Sequence, residues 1–163
     1  MKKIKLLLCI LFLLLLAGCG NKETDKLDCK SIKDTTKNVI ISIGEHKSSV
    51  DKKLGEGIYN AELDGYDYTN NFLIEYDISD LVIYIQSENP NIELLNYKDG
   101  DTQEDIERNY EFVSFNVGLD AFYAYYDEKE MPCDIDDAKY YVAIIKVVND
   151  GDFVAAFIDG GEY

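Results

Sequence analysis

The stretch "ISIGEHKSSVDKKLGEG" (Ile41 to Gly57) holds the single histidine of the 163-residue chain, with Ser48 and Ser49 two and three residues beyond it. A histidine can take the proton of a serine hydroxyl and make it a nucleophile, provided that a third group orients the ring and donors stabilise the oxyanion. Neighbours this close in sequence at a helix start do not converge with such partners. The pattern therefore assigns no catalytic residue, and a non-enzymatic protein is expected. His46 has a structural use instead. It precedes Val50 and Leu54, an i, i+4 apolar pair on one helical face, and stands where a side chain can cap the first turn. An imidazolium there would oppose the helix dipole, so the cap is a modest one.

Metal and redox chemistry have few residues to draw on. One histidine and two available cysteines supply zinc poorly, and no cofactor is implied. Acidic clusters at Asp99-Gly100-Asp101 and at Asp134, Asp136 and Asp137 offer oxygen ligands of the kind calcium takes. Neither fits an EF-hand, because "DGDTQED" lacks the glycine at position six and the closing glutamate follows nowhere in register. A weak metal site on Asp134, Asp136 and Asp137 and a solvated acidic loop both remain open.

Tyrosine is in excess, with 13 Tyr and 7 Phe but no Trp. Alternation in "AFYAYY" puts Phe122, Ala124 and Tyr126 on one strand face and Tyr123 and Tyr125 on the other; Tyr84 likewise opposes Leu81, Ile83 and Ile85. If the first face is core, then Tyr84, Tyr123, Tyr125 and Tyr140 form a row on the open sheet that could bind a partner. Ordinary strand tyrosines that half-cover a core give the same pattern.

The elements that position these residues begin after a leader. Lys2, Lys3 and Lys5 precede an apolar run from Leu6 to Leu16, followed by Ala17 and Gly18. This is an export signal over residues 1–18, and its 11 apolar residues fall short of the roughly 20 that a spanning helix needs. Leu16-Ala17-Gly18-Cys19 resembles the lipobox of bacterial lipoproteins. The resemblance implies lipidation of Cys19 and an extracytoplasmic protein anchored to the membrane by its acyl chains, each methylene contributing about 0.8 kcal/mol. Loss of the signal removes three lysines and leaves 13 basic against 32 acidic residues, a net charge of −19. Such a surface repels phosphate backbones, so nucleic acid is not an expected partner; an unknown protein or surface partner is. With Cys19 lipidated, Cys29 and Cys133 could form a disulfide, worth up to ~4.7 kcal/mol for a loop of about 100 residues, or stay as two thiols.

Residues 19–38 read as the lipidated cysteine and a polar tether, and residues 39–163 as one domain. That domain repeats itself. Gly44, Val50 and Leu54 recur as Gly100, Ile106 and Tyr110, and "DISDLV" recurs as "NDGDFV", giving repeat one at 39–88 and repeat two at 92–163. The extra length of the second copy falls around "YDEKEMPCDIDDA". Each unit is predicted as one short helix on an antiparallel meander, so the fold class is α+β. Gly44, Val50, Leu54 and Gly55, followed by strands and a hairpin, resemble the β-lactamase-inhibitor-like fold and the small lipoprotein of the outer-membrane barrel-assembly machinery. The resemblance implies a protein that acts by binding other proteins. The Asp-, Lys-, Ile- and Tyr-rich composition is similar to that of surface lipoproteins of AT-rich Gram-positive bacteria.

Overall fold

A computed structural model describes residues 27–95, 97–98, 101, 104–105, 108, 114–116, 121–146 and 153–160. The export signal, Cys19, the apolar pair Ile106 and Tyr110, and the turn at Asn149 to Asp152 lie outside the described residues.

Within them the chain is mostly antiparallel sheet with one assigned α-helix, an α+β arrangement. Strands β1 (Ser31–Asp34), β2 (Val39–Ser42), β7 (Ile92–Leu94) and β8 (Tyr97–Lys98) form a small sheet in the order β2-β1-β7-β8. Strands β3 (Ile58–Asn60), β4 (Gly65–Tyr68), β5 (Phe72–Tyr76), β6 (Val82–Ser87), β9 (Ser114–Asn116), β10 (Ala121–Tyr126), β11 (Tyr140–Lys146) and β12 (Phe153–Asp159) form a larger one. Its order is β3-β4-β5-β6-β12-β11-β10-β9, so one meander ends on β6, the other on β12, and those two strands pair antiparallel. Helix α1 (Lys47–Leu54) and the small sheet cover one face of the large sheet. Ile32, Ile41, Ile92 and Leu94 share a single core with Val50 and Leu54 of the helix and with Phe72, Ile74, Ile85, Phe122, Val142 and Ile158.

Helix α1 forms where the sequence predicts it. His46, with extended backbone, accepts a hydrogen bond from the Ser48 N–H through Nδ1 at 3.2 Å, and Val50 and Leu54 are buried. Gly55 ends the helix at φ +92°, a conformation that a Cβ penalises, and its N–H donates to the Asp51 carbonyl. The helix entry is fastened to the large sheet. Gly44 N–H donates to the Val82 carbonyl, Val82 N–H to that of Glu45, and Lys47 N–H to that of Asp80.

Two expectations are corrected. Residues 27–38, expected to be the end of a tether, are folded: Cys29 and Ile32 are buried, and β1 pairs with β2 from Ser31↔Ser42 to Asp34↔Val39. The segment reads as polar because its polar groups are used inside. Ser31 and Ser42 hydroxyls bond each other at 2.6 Å, and the fully buried Asp34 carboxylate accepts the N–H groups of Thr36 and Lys37 and the Asn70 amide. The second correction concerns β6. Glu75 faces Tyr84 but Tyr76 faces Val82, so Ile83 is an extra residue in the ladder. A bulge of this kind reverses the alternation. Val82, which unbroken alternation would put on the same face as Tyr84, therefore turns into the core.

Hairpin turns share one device. Asp77 accepts the N–H groups of Ser79 and Leu81 through Oδ1 while Asp80 takes φ +61°; Asp127 accepts those of Lys129 and Met131 while Glu130 also takes φ +61°. In both, a short acid replaces water at the turn's inward N–H groups, and a left-handed residue closes the hairpin.

Candidate functional site

With α1 and the small sheet on one face, the other face of the large sheet carries the side chains that alternate away from the core. On β10 these are Tyr123 and Tyr125, half-exposed between the buried Phe122, Ala124 and Tyr126. Tyr125 pairs across the ladder with Tyr141 on β11, and Ala143 with Phe157 on β12. The rings form a continuous row. Tyr123 and Tyr125 meet at 5.7 Å, Tyr125 stacks on Tyr141 at 5.1 Å, Tyr141 meets Phe157 edge-on at 5.3 Å, and Phe157 stacks on Tyr84 at 5.9 Å. Such geometries, two stacked and two edge-on, are favourable for aromatic pairs.

Three of the four tyrosines expected on this face are there: Tyr84, Tyr123 and Tyr125. Tyr140 is not. It pairs with the buried Tyr126 and packs against the core, so its neighbour Tyr141 takes the outer position. The strand "YYVAII" is apolar on both faces, and alternation alone could not choose between the two tyrosines. Phe157 was missed for the same reason, since "FVAAFI" has no polar face.

One end of the row is acidic. Tyr84 has Glu75 of β5 and Asp159 of β12 as its two cross-strand partners, and directly opposed residues share a face. Burial, and then the charges of Asp159 and Asp64, hold the Glu75 carboxyl above its ordinary range. Burial, and then Glu75 and Asp159, push the Tyr84 phenol up to about 12. Tyr84 stays a neutral donor, with its hydroxyl on Gln86 Oε1 at 2.9 Å.

The inner face has a second polar cluster, which joins α1 to the sheet. Tyr68 donates to Asp51 at 2.7 Å and shares a 2.8 Å hydrogen bond with Tyr76. Lys47 bonds Asp51 at 3.0 Å and sits 4.6 Å from the centroid of the Tyr66 ring. Burial raises Asp51, but the hydrogen bonds from Tyr68 and Lys47 outweigh it and leave the carboxyl below its ordinary range. Tyr68 and Tyr76 are raised, first by burial. These groups satisfy one another, which makes the cluster a fastening.

The remaining candidate residues do not converge. His46 Nδ1 lies 3.0 Å from Ser48 Oγ but is engaged in capping, and Ser49 donates to Glu45. Cys29 and Cys133 are both free thiols, so the disulfide is not formed. Cys29 is in the core, where burial, with help from Glu130 and Asp28, pushes it up to about 12; Cys133 is held next to β10 by its N–H on the Tyr125 carbonyl. Asp134, Asp136 and Asp137 are exposed around a 3-10 turn (Ile135–Asp137), and among the described residues no group of three His, Cys, Asp or Glu could hold a metal ion. No described helix is long and apolar enough to cross a membrane.

No protein-family model, curated protein or solved structure matches the chain.

Proposed function

We propose that the protein is a non-enzymatic interaction module, held at the extracytoplasmic face of a membrane by lipid on Cys19, that presents the outer face of its large sheet to another protein. The observation that carries the reading is the row Tyr84, Phe157, Tyr141, Tyr125 and Tyr123, half-exposed rings in mutual contact across four strands. Rigid amphipathic rings lose little conformational entropy on contact and are the side chains that binding surfaces favour. A hydrophobic core on one face already accounts for folding, and the rings on the other face are available for recognition.

The proposal includes descent of the sheet from two copies of one unit, in the manner of a β-lactamase-inhibitor-like protein. Support comes from the mirror order of the sheet, in which β3 to β6 and β9 to β12 meet through their last strands. It also comes from the place of the extra length: the β4 to β5 connection has three residues, whereas β10 and β11 are joined by residues 127–139, the acidic stretch that the sequence marks as an insertion.

Two experiments test the reading. Palmitate labelling of the cells should be lost in Cys19→Ala, and a wild-type protein without lipid would remove the anchor. Tyr123→Ser/Tyr125→Ser should leave the melting transition nearly unchanged and abolish partner binding. Retained binding would remove the surface from consideration.

A further inference from the structure

We infer that the partner is a protein embedded in the same membrane, met at the end of the large sheet where the lipid tether arrives, through exposed apolar side chains on the turns there. This names the kind of partner for the interaction module and rests on that reading, lipid on Cys19 included. Chain length sets one limit. Leu27 is buried and lies eight residues after Cys19, a span of at most about 29 Å. The fold sets where the tether arrives. Lys30 is ion-paired with Glu130 at 2.5 Å and its carbonyl accepts the Ile43 N–H, so the chain enters beside the connection from β10 to β11.

That connection stands at one end of the sheet. The antiparallel registers put the β5 to β6 turn and the β3 to β4 turn at the same end. Each of these turns carries an exposed apolar side chain: Leu63 at 53 %, Ile78 in full, Met131 at 60 % and Ile135 at 53 %. At the opposite end the turns 35–38, 69–71 and 88–91 are tied together by hydrogen bonds of Asp34 with Asn70, Thr35 with Asn91 and Glu88 with Asn71, and they hold no large exposed hydrophobic residue. The apolar tips are thus gathered at the anchored end. A bilayer does not suit them, because Asp80, Glu128, Asp134, Asp136 and Asp137 are exposed among them and repel anionic headgroups. A protein surface with apolar pockets and basic residues suits both, and a protein embedded in that membrane holds such a surface within about 29 Å of the anchor. The aromatic row runs along the same end. Tyr125 is the penultimate residue of β10 and Tyr141 the second of β11, so one partner can cover rings and tips together.

The test uses the full chain in cells, with a photoreactive residue at position 125 and a protease recognition sequence inserted between Cys19 and Leu27. After irradiation and cleavage of the tether, free domain should leave the membrane, and the cross-linked product should stay in it through an alkaline carbonate wash. A product released with the free domain would overturn the proposal, because its partner would not be embedded. Ile78→Ser/Met131→Ser should lower the cross-link yield about tenfold, and Ile58→Ser/Tyr59→Ser, on the edge strand β3, less than about twofold. Equal losses would overturn it too. All four side chains are more than half exposed, so both variants should keep the melting transition. The lipidated protein on phosphatidylglycerol vesicles, cleaved in the same way, should be released; retention would make the bilayer the occupant, against the proposal. Cross-links that persist unchanged in Ile78→Ser/Met131→Ser leave the outer face standing and remove the anchored end; cross-links absent from the wild type remove both.

Discussion

Gly57 lies against the ring of Tyr68: a Cβ added at residue 57 would stand 2.5 Å from Tyr68 Cζ. The ring is buried, and its hydroxyl bonds both Asp51 of α1 and Tyr76 of β5. The glycine therefore sets how closely the chain leaving α1 approaches the sheet. Gly57→Ala should push the ring away, lengthen the Tyr68 to Asp51 hydrogen bond and cost about 1 to 3 kcal/mol, read as a lower urea midpoint. Gly57→Ala/Tyr68→Ala should show less than the sum of the two single losses, since one cause is then counted twice.

The buried Asp34 carboxylate ties the β1 to β2 turn to Asn70 of the β4 to β5 turn. Asp34→Ala would leave three donors without their acceptor, and a loss of about 3 kcal/mol is expected. Asp34→Asn keeps one acceptor oxygen for the turn N–H groups but sets an amide against the amide of Asn70. Its loss should be smaller, and denaturant unfolding of both variants gives the order.

Glu75 gives the stability curve a feature of opposite sign to that of most carboxylates. Its folded-state pKa is raised, by burial first and then by Asp159 and Asp64, so folding favours the protonated form. The stability it contributes is complete below its unfolded pKa and is lost as pH rises through the raised folded value. At neutral pH Glu75→Gln should thus be more stable than the wild type, by under about 1 kcal/mol for a group this open to solvent, and the difference should close as the solution is acidified. Thermal unfolding across that pH window measures it.

The two thiols should separate by reactivity. Cys29 is buried and raised to about 12, whereas Cys133 is half-buried on a surface connection. Alkylation at mildly alkaline pH should label Cys133 in the folded protein and Cys29 only after unfolding, since the thiolate is the reacting form. Peptide mass spectrometry after each step reads the two sites independently.

Period and spacing made the helix and much of the large sheet legible. Val50 and Leu54 at i, i+4 behind a capping position marked α1, and "AFYAYY" placed Tyr123 and Tyr125 correctly because its core face is sharply alternating. Legibility failed where polarity and position part company. Ser31 and Asp34 are buried with their partners supplied from elsewhere in the fold, so β1 looked like linker. It failed again at Ile83, because a bulge is a property of two strands and neither strand's sequence records it. The acidic flank of the candidate site was hidden for that same reason: Glu75 and Asp159 are far apart in sequence and meet at Tyr84 through register alone.

Two photoreactive positions in living cells, compared side by side, decide whether the outer tyrosine face meets a partner. One replaces Tyr125 on the outer row; the other replaces Lys52, exposed on α1 over the covered face. A discrete cross-linked product is expected from position 125, abolished by Tyr84→Ser/Tyr123→Ser, and none above background from position 52. Equal yields from the two positions, or a product indifferent to the loss of the neighbouring rings, would contradict it.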